Sequence, residues 1–108
     1  MLPKKNRADR KMVEKIFKEG KFFVSPSLTF KFIKENKQTN PHVSFIAPKS
    51  VAKLAVKRNL LRRRGYSVLN KYIKHFPFEV CGVFVFKKYQ DNLLIIENEI
   101  KNILSKIN

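Results

Sequence analysis

Apolar and polar positions change their period several times along this chain of 108 residues, and each change marks an element. In "DRKMVEKIFKEG", Met12, Val13, Ile16 and Phe17 recur at three- and four-residue intervals, which predicts a helix over about 9–19 with one apolar stripe. Asp9 suits its N-cap and Gly20 its C-terminal stop, while Lys11, Lys15 and Lys18 face elsewhere. The period then falls to two. In "KFFVSPSLTFKFIKE", residues 22–24 and 28–34 read as strands split by Ser-Pro-Ser, with Leu28, Phe30 and Phe32 on one face. Thr29, Lys31 and Ile33 make the more open face. "NKQTNP" reads as a loop and "HVSFIAP" as a third strand.

Pro48 ends that strand, and Ser50 is a good N-cap for a second helix reaching about Lys74. Leu54, Leu61, Val68 and Tyr72 form one narrow apolar stripe on it, and Lys53, Lys57, Arg64 and Lys71 a basic one. Gly65 is disfavoured in a helix interior by ~1 kcal/mol and marks a candidate kink. "FEVCGVFVF" is apolar almost throughout, the pattern of a strand buried on both faces. "DNLLIIENEIKNILSKIN" is an amphipathic helix starting at Asp91, with Leu93, Ile96, Ile100, Ile103 and Ile107 along one face. The order αβββαβα predicts an α+β fold: one domain over 1–108, a four-stranded sheet packed with helices. No repeat, low-complexity tract or linker argues for a second domain.

Charge changes this picture from a fold to a partner. The chain has 24 Lys+Arg against 8 Asp+Glu, a formal charge of +16, while ten Phe and 44% hydrophobic residues suffice to fill a core. No acid occurs between Glu35 and Glu79, an interval that carries Lys49, Lys53, Lys57, Arg58, Arg62, Arg63, Arg64, Lys71 and Lys74. Like charges at i,i+4 on a helix repel by roughly 0.2–0.5 kcal/mol per pair, so a polyanion is expected to supply the counter-charge. Outside the 58–64 cluster the only arginines are Arg7 and Arg10. A planar guanidinium fork matches phosphate oxygens and base edges as lysine does not. Nucleic acid is therefore the expected partner; a membrane is not, because the basic helix lacks a broad greasy face.

The remaining chemistry is sparse. Cys81 is the single cysteine, excludes an internal disulfide and fits a reducing cytoplasm, and no apolar run approaches the ~20 residues that span a bilayer. The N-terminus has no signal-peptide core, so a soluble cytoplasmic protein is expected. His42 and His75 have no carboxylate at helical spacing and read as surface or satisfied side chains. Paired carboxylates, nucleophile motifs, metal-ligand clusters and phosphate-cradling glycine loops are absent, so no catalytic side chain and no protein-borne metal site are expected.

The basic "NR" at Asn6-Arg7, a helix ending "IFKEGK", a third strand running into a basic turn, and "AVKRNLLRRR" together resemble the protein component of bacterial ribonuclease P. The resemblance spans essentially the whole chain. It implies a left-handed crossover from the third strand through the arginine helix to the fourth, as in the second domain of a small-subunit ribosomal protein, against the general right-handed rule. It also implies that catalysis belongs to an RNA subunit. That subunit uses magnesium, bound mainly by the RNA, to hydrolyse a phosphodiester and release the 5′ leader of precursor tRNA. The protein's implied partners are this catalytic RNA and precursor tRNA, with no membrane and no DNA.

Residue by residue, Arg58, Asn59, Arg62 and Arg63 match the family's arginine–asparagine helix motif, and Lys49 and Lys53 match basic positions leading into it. Arg7, Lys57 and Arg64 extend this RNA-binding set. Phe17 matches an aromatic lining the cleft for the single-stranded leader, with Lys31 and Thr29 as neighbours and Val13 where Phe is frequent. Leu60 departs from the family's usual arginine, a loss Arg64 is placed to offset from one turn on, and Ser50 replaces a frequent lysine. The alternative reading is a generic basic RNA-binding protein, such as a small ribosomal protein. A helix-turn-helix DNA regulator fits poorly with four strands. A self-sufficient nuclease lacks its carboxylates or histidines.

Overall fold

The computed structural model describes residues 6–35 and 40–107. Its elements are α1 (Arg10–Glu19), β1 (Lys21–Val24), β2 (Leu28–Lys34), β3 (His42–Ile46), α2 (Ala55–Tyr72), β4 (Val80–Phe86) and α3 (Leu93–Ile107), with a 3-10 turn over Ile73–His75. The αβββαβα order expected from the periodicity is the order found.

The strands lie in the order β1-β2-β4-β3. β2 pairs antiparallel with both β1 and β4, whereas β3 and β4 run parallel. Parallel neighbours need a long crossover, which α2 supplies. β4 is therefore a central strand, and β1 and β3 are edges.

Helices cover both faces. On one, Ile16 of α1 packs onto Cys81 and Val83, flanked by Met12, Val13, Ile33, Ile46 and Val85. On the other, α2 and α3 bury Phe30, Phe84, Phe86, Leu61, Leu69, Ile96 and Ile100 in the main core. This two-sided burial explains why "VCGVFVF" is apolar without alternation. Gly82 in the middle of β4 is required by close approach, since a Cβ there would stand 2.2 Å from Phe30 Cζ. Phe30 in turn stacks on Phe32, with ring centroids 5.5 Å apart, and tilts onto Phe84 at 4.4 Å.

Helix starts follow local hydrogen-bonding chemistry. Asp9 caps α1, accepting from the Met12 N–H at 2.9 Å as its position suggested. α2, however, does not begin at Ser50. The Pro48 carbonyl accepts from the Val51 and Ala52 N–H groups at 3.0 and 3.2 Å, folding residues 48–52 into a separate turn. The helix starts at Ala55 after an extended Leu54 that offers no side-chain cap. Leu54 is accordingly exposed rather than part of the apolar stripe, and Leu69 joins Leu61 and Val68 in the core instead. The helix runs continuously through Gly65. At α3 the cap is Asn92, not Asp91: its side-chain oxygen accepts from the Leu94 and Ile95 N–H groups at 3.0 and 3.2 Å.

Two polar ties fix α3. The buried Glu99 carboxylate accepts from the Ser25 hydroxyl and from the Ser27 N–H at 2.8 Å, joining the β1–β2 turn to the helix. The Tyr72 hydroxyl donates to Glu97, which joins α2 to α3 and raises the phenol's pKa through that hydrogen bond.

Candidate nucleic-acid interface

The N-terminal segment, β3 and α2 converge at the β3 edge of the sheet. The buried Asn6 donates from its side-chain amide to the Pro41 carbonyl at 3.2 Å, and the Ala8 N–H donates to Ser44 Oγ at 2.9 Å. These bonds hold the intervening Arg7 beside the edge strand. α2 approaches the same strand closely because Gly65 has no side chain: a Cβ would lie 2.6 Å from the Phe45 ring. One residue on, the Tyr66 hydroxyl accepts from the Phe45 N–H at 3.1 Å, capping a backbone donor that an edge strand otherwise presents to solvent.

Between these elements lies an open groove of about 680 Å³ lined by Arg7, Phe45, Asn59, Arg62, Arg63, Tyr66 and Ser67. Asn59, Arg62, Arg63 and Tyr66 share it because 3.6 residues per turn bring positions three, four and seven apart onto one flank. Within it the Arg62 guanidinium donates to the Asn59 side-chain carbonyl, which holds both groups. Among the described residues the ion pairs are Arg10–Glu14 and Lys15–Glu35, so no acid neutralises the groove's arginines there. A donor-rich concavity with uncompensated positive charge suits an acceptor-rich anion.

The other expected basic residues lie around this groove rather than in it. Arg58 is half-buried, and its Nη1 donates to the Ala52 carbonyl at 3.0 Å and the Lys53 carbonyl at 2.7 Å. It thereby clips the turn that carries Lys49 and Lys53 onto the start of α2. Lys49, Lys53 and Lys57 are exposed. Arg64 shares a flank with Lys57 and Lys71, turned away from Arg62 by the helical period. Sequence reasoning missed Tyr66, Ser67 and Phe45. The first was legible from its spacing to Asn59 and Arg62; Phe45 was not, because only the folding of α2 onto β3 puts it there.

A second feature lies on the α1 face. Phe17 projects from α1, 44% exposed, with the Lys31 Nζ 4.8 Å from its ring centroid. Lys31 is opposite Phe22 in the β1–β2 register, and Thr29 is opposite Val24. Phe22 and Val24 are 62% and 49% exposed, so the residues expected at the cleft continue into an uncovered apolar strip at the β1 edge. Val13 lies in the small core beneath α1. Lys15 bridges to Glu35 at 2.5 Å, which ties the middle of α1 to the residue that follows β2 and raises the lysine pKa through the hydrogen bond and charge of Glu35.

Neither feature has the makings of a metal centre: no group of three or more His, Cys, Asp or Glu side chains that could hold a metal ion occurs among the described residues. No helix among those residues is long and apolar enough to cross a membrane. His75 is exposed, while His42 is half-buried with its Nδ1 enclosed and without a hydrogen-bond partner among the described residues.

A four-stranded mixed sheet with helices on both faces, and a basic helix crossing to its edge, defines a small α+β domain with an arginine-lined groove at one sheet edge. The ribonuclease P family model matches residues 2–108, and the chain belongs to that family. A search of curated protein sequences returned no match. Among solved structures, the RNase P protein from Thermotoga maritima is similar in fold, with a TM-score of 0.81 at 19% identity over 94% of this chain and 97% of that one. The RNase P protein from Staphylococcus aureus is similar at a TM-score of 0.78 and 14% identity, over 94% of this chain and 95% of that one. Family membership makes this chain a protein subunit of ribonuclease P, with a place in tRNA processing.

Proposed function

We propose that the chain binds the catalytic RNA of ribonuclease P through the α2 groove and receives the 5′ leader of precursor tRNA on its α1 face. The observation that carries this reading is the convergence of Arg7 with Asn59, Arg62 and Arg63 on one groove, although they are more than fifty residues apart in sequence. Arginine forks there meet phosphate oxygens, and no acid among the described residues neutralises them. Phe17, with Phe22 beyond Lys31, supplies aromatic faces for unpaired leader bases, and Lys31 supplies charge for the phosphate between them. A base stacked on such a ring contributes ~1–3 kcal/mol.

In this proposal the protein's side chains take no part in bond cleavage. The RNA subunit hydrolyses the phosphodiester with magnesium that it holds mainly itself, in the cytoplasm, while the protein lowers the repulsion between two polyanions and holds the leader in register. The test is cleavage of a 5′-extended precursor tRNA by the cognate RNA subunit at low magnesium, with and without protein. Acceleration at the mature 5′ end that is lost in an Arg62→Ala, Arg63→Ala variant supports the reading. Equal cleavage without the protein refutes it.

A further inference from the structure

The groove holds an aromatic donor that neither charge nor the family motif accounts for. Tyr66 stands among the arginines with its ring and its hydroxyl both engaged by Phe45. It meets the Phe45 ring edge-on, with centroids 5.4 Å apart and planes at 71°. Its hydroxyl oxygen accepts from the Phe45 N–H at 3.1 Å. A phenol can accept and donate at once, and here the accepting role is taken. The hydroxyl proton has no acceptor among the described residues, and the side chain lines the groove with Arg7, Asn59, Arg62 and Arg63.

We infer that Tyr66 is a direct RNA contact: its O–H donates to an oxygen of the ribose–phosphate backbone bound in the groove. This rests on the proposed function and adds a determinant of a different kind. The arginines are charged, so their contribution is large but easily screened. Tyr66 is neutral and held in place at both ring and hydroxyl. It fixes where the backbone sits, and salt leaves its contribution nearly unchanged. The same hydroxyl also locks α2 to β3, so a contact made to RNA tightens the seat of the helix that makes it: an O–H that donates becomes a better acceptor through cooperative polarisation.

Direct binding of the cognate ribonuclease P RNA is measured across a salt series for wild type, Tyr66→Phe and Arg62→Ala. Tyr66→Phe is expected to weaken binding by about 3- to 10-fold with an unchanged log–log salt slope, the range for one net hydrogen bond. Arg62→Ala is expected to make the slope shallower. Loss of the hydroxyl also frees the Phe45 N–H, so a second measurement separates contact from lock. Replacing Tyr66 with 3-fluorotyrosine, assayed at slightly acidic pH where the phenol stays protonated, makes the hydroxyl a stronger donor and a weaker acceptor. A direct contact raises RNA affinity while thermal stability of the free protein falls. Parallel falls in affinity and stability, or affinity untouched by Tyr66→Phe, overturn the inference and leave a structural lock. Failure of wild type itself to bind this RNA instead overturns the proposed function.

Discussion

Replacing Gly65 with alanine sets two physical effects against each other, and their signs differ. In a helix interior alanine is favoured over glycine by ~1 kcal/mol, so local propensity alone has the variant more stable. The tertiary structure opposes this. The new Cβ would lie 2.6 Å from Cδ1 and Cε1 of Phe45 and 2.8 Å from its Cζ, all well inside ordinary carbon–carbon contact. The ring has little room to withdraw. It stacks on Phe84 with centroids 5.0 Å apart, packs on Phe86 at 5.7 Å and meets Tyr66 at 5.4 Å. Overpacking of a filled core costs about 1–3 kcal/mol, which outweighs the propensity gain and leaves a net loss of ~1 kcal/mol. For a domain of this size that lowers Tm by roughly 4–8 °C. The assay is thermal and urea unfolding of both proteins at one fixed sulfate concentration, so that anion binding is held constant. A stabilisation of ~1 kcal/mol would refute the reasoning and show that Phe45 yields freely. The double variant sharpens the test: in a Phe45→Leu background the obstruction is gone, and Gly65→Ala is expected to be neutral or stabilising.

Three further outcomes are expected. Arg62→Ala should weaken binding to ribonuclease P RNA uniformly and reduce the log–log salt slope by about 1, read from equilibrium binding at several salt concentrations; an unchanged slope would show that Arg62 meets no phosphate. Phe17→Ala should lower affinity for leader-bearing precursor tRNA by ~1–3 kcal/mol while leaving mature tRNA and Tm nearly unaffected, since the ring is 44% exposed; equal losses for both RNAs would place its role elsewhere. Lys15 should titrate above the ordinary lysine value in an NMR pH series, because its pKa is raised by the hydrogen bond and charge of Glu35, and Glu35→Gln should bring it back towards that value. A lysine whose pKa rises on folding stabilises the protein below its ordinary value and loses that contribution as pH climbs through the raised one, so the ion pair is intact across the neutral range.

Arg58 shows how sequence and structure divide the site. The motif set it beside Arg62 and Arg63 as one of a row of equivalent cations. The structure adds a local task, because its Nη1 donates to the carbonyls of Ala52 and Lys53. Those carbonyls are available only because the Pro48 turn ends before the helix starts, which is also why Ser50 does not serve as the cap. Local chemistry allowed either start; in the fold the Pro48 carbonyl takes the Val51 and Ala52 N–H groups and the helix begins at Ala55. The spacing of Tyr66 put it on the flank of Asn59 and Arg62, but its role was masked for the opposite reason. At its position an aromatic reads as ordinary packing, and its partner, the Phe45 N–H, carries no side-chain signature at all.

What the sequence determined by itself was the kind and order of the elements, the two-sided burial of β4, the cap at Asp9 and the concentration of positive charge on α2. These depend on period, propensity and composition, which are carried by residues close together in the chain. The strand order β1-β2-β4-β3, the approach of Gly65 to Phe45 and the meeting of Arg7 with Asn59, Arg62 and Arg63 were decided only by the tertiary structure. Each depends on how faces of separate elements fit when packed to near-crystalline density, and that fit is set by contacts no local pattern encodes.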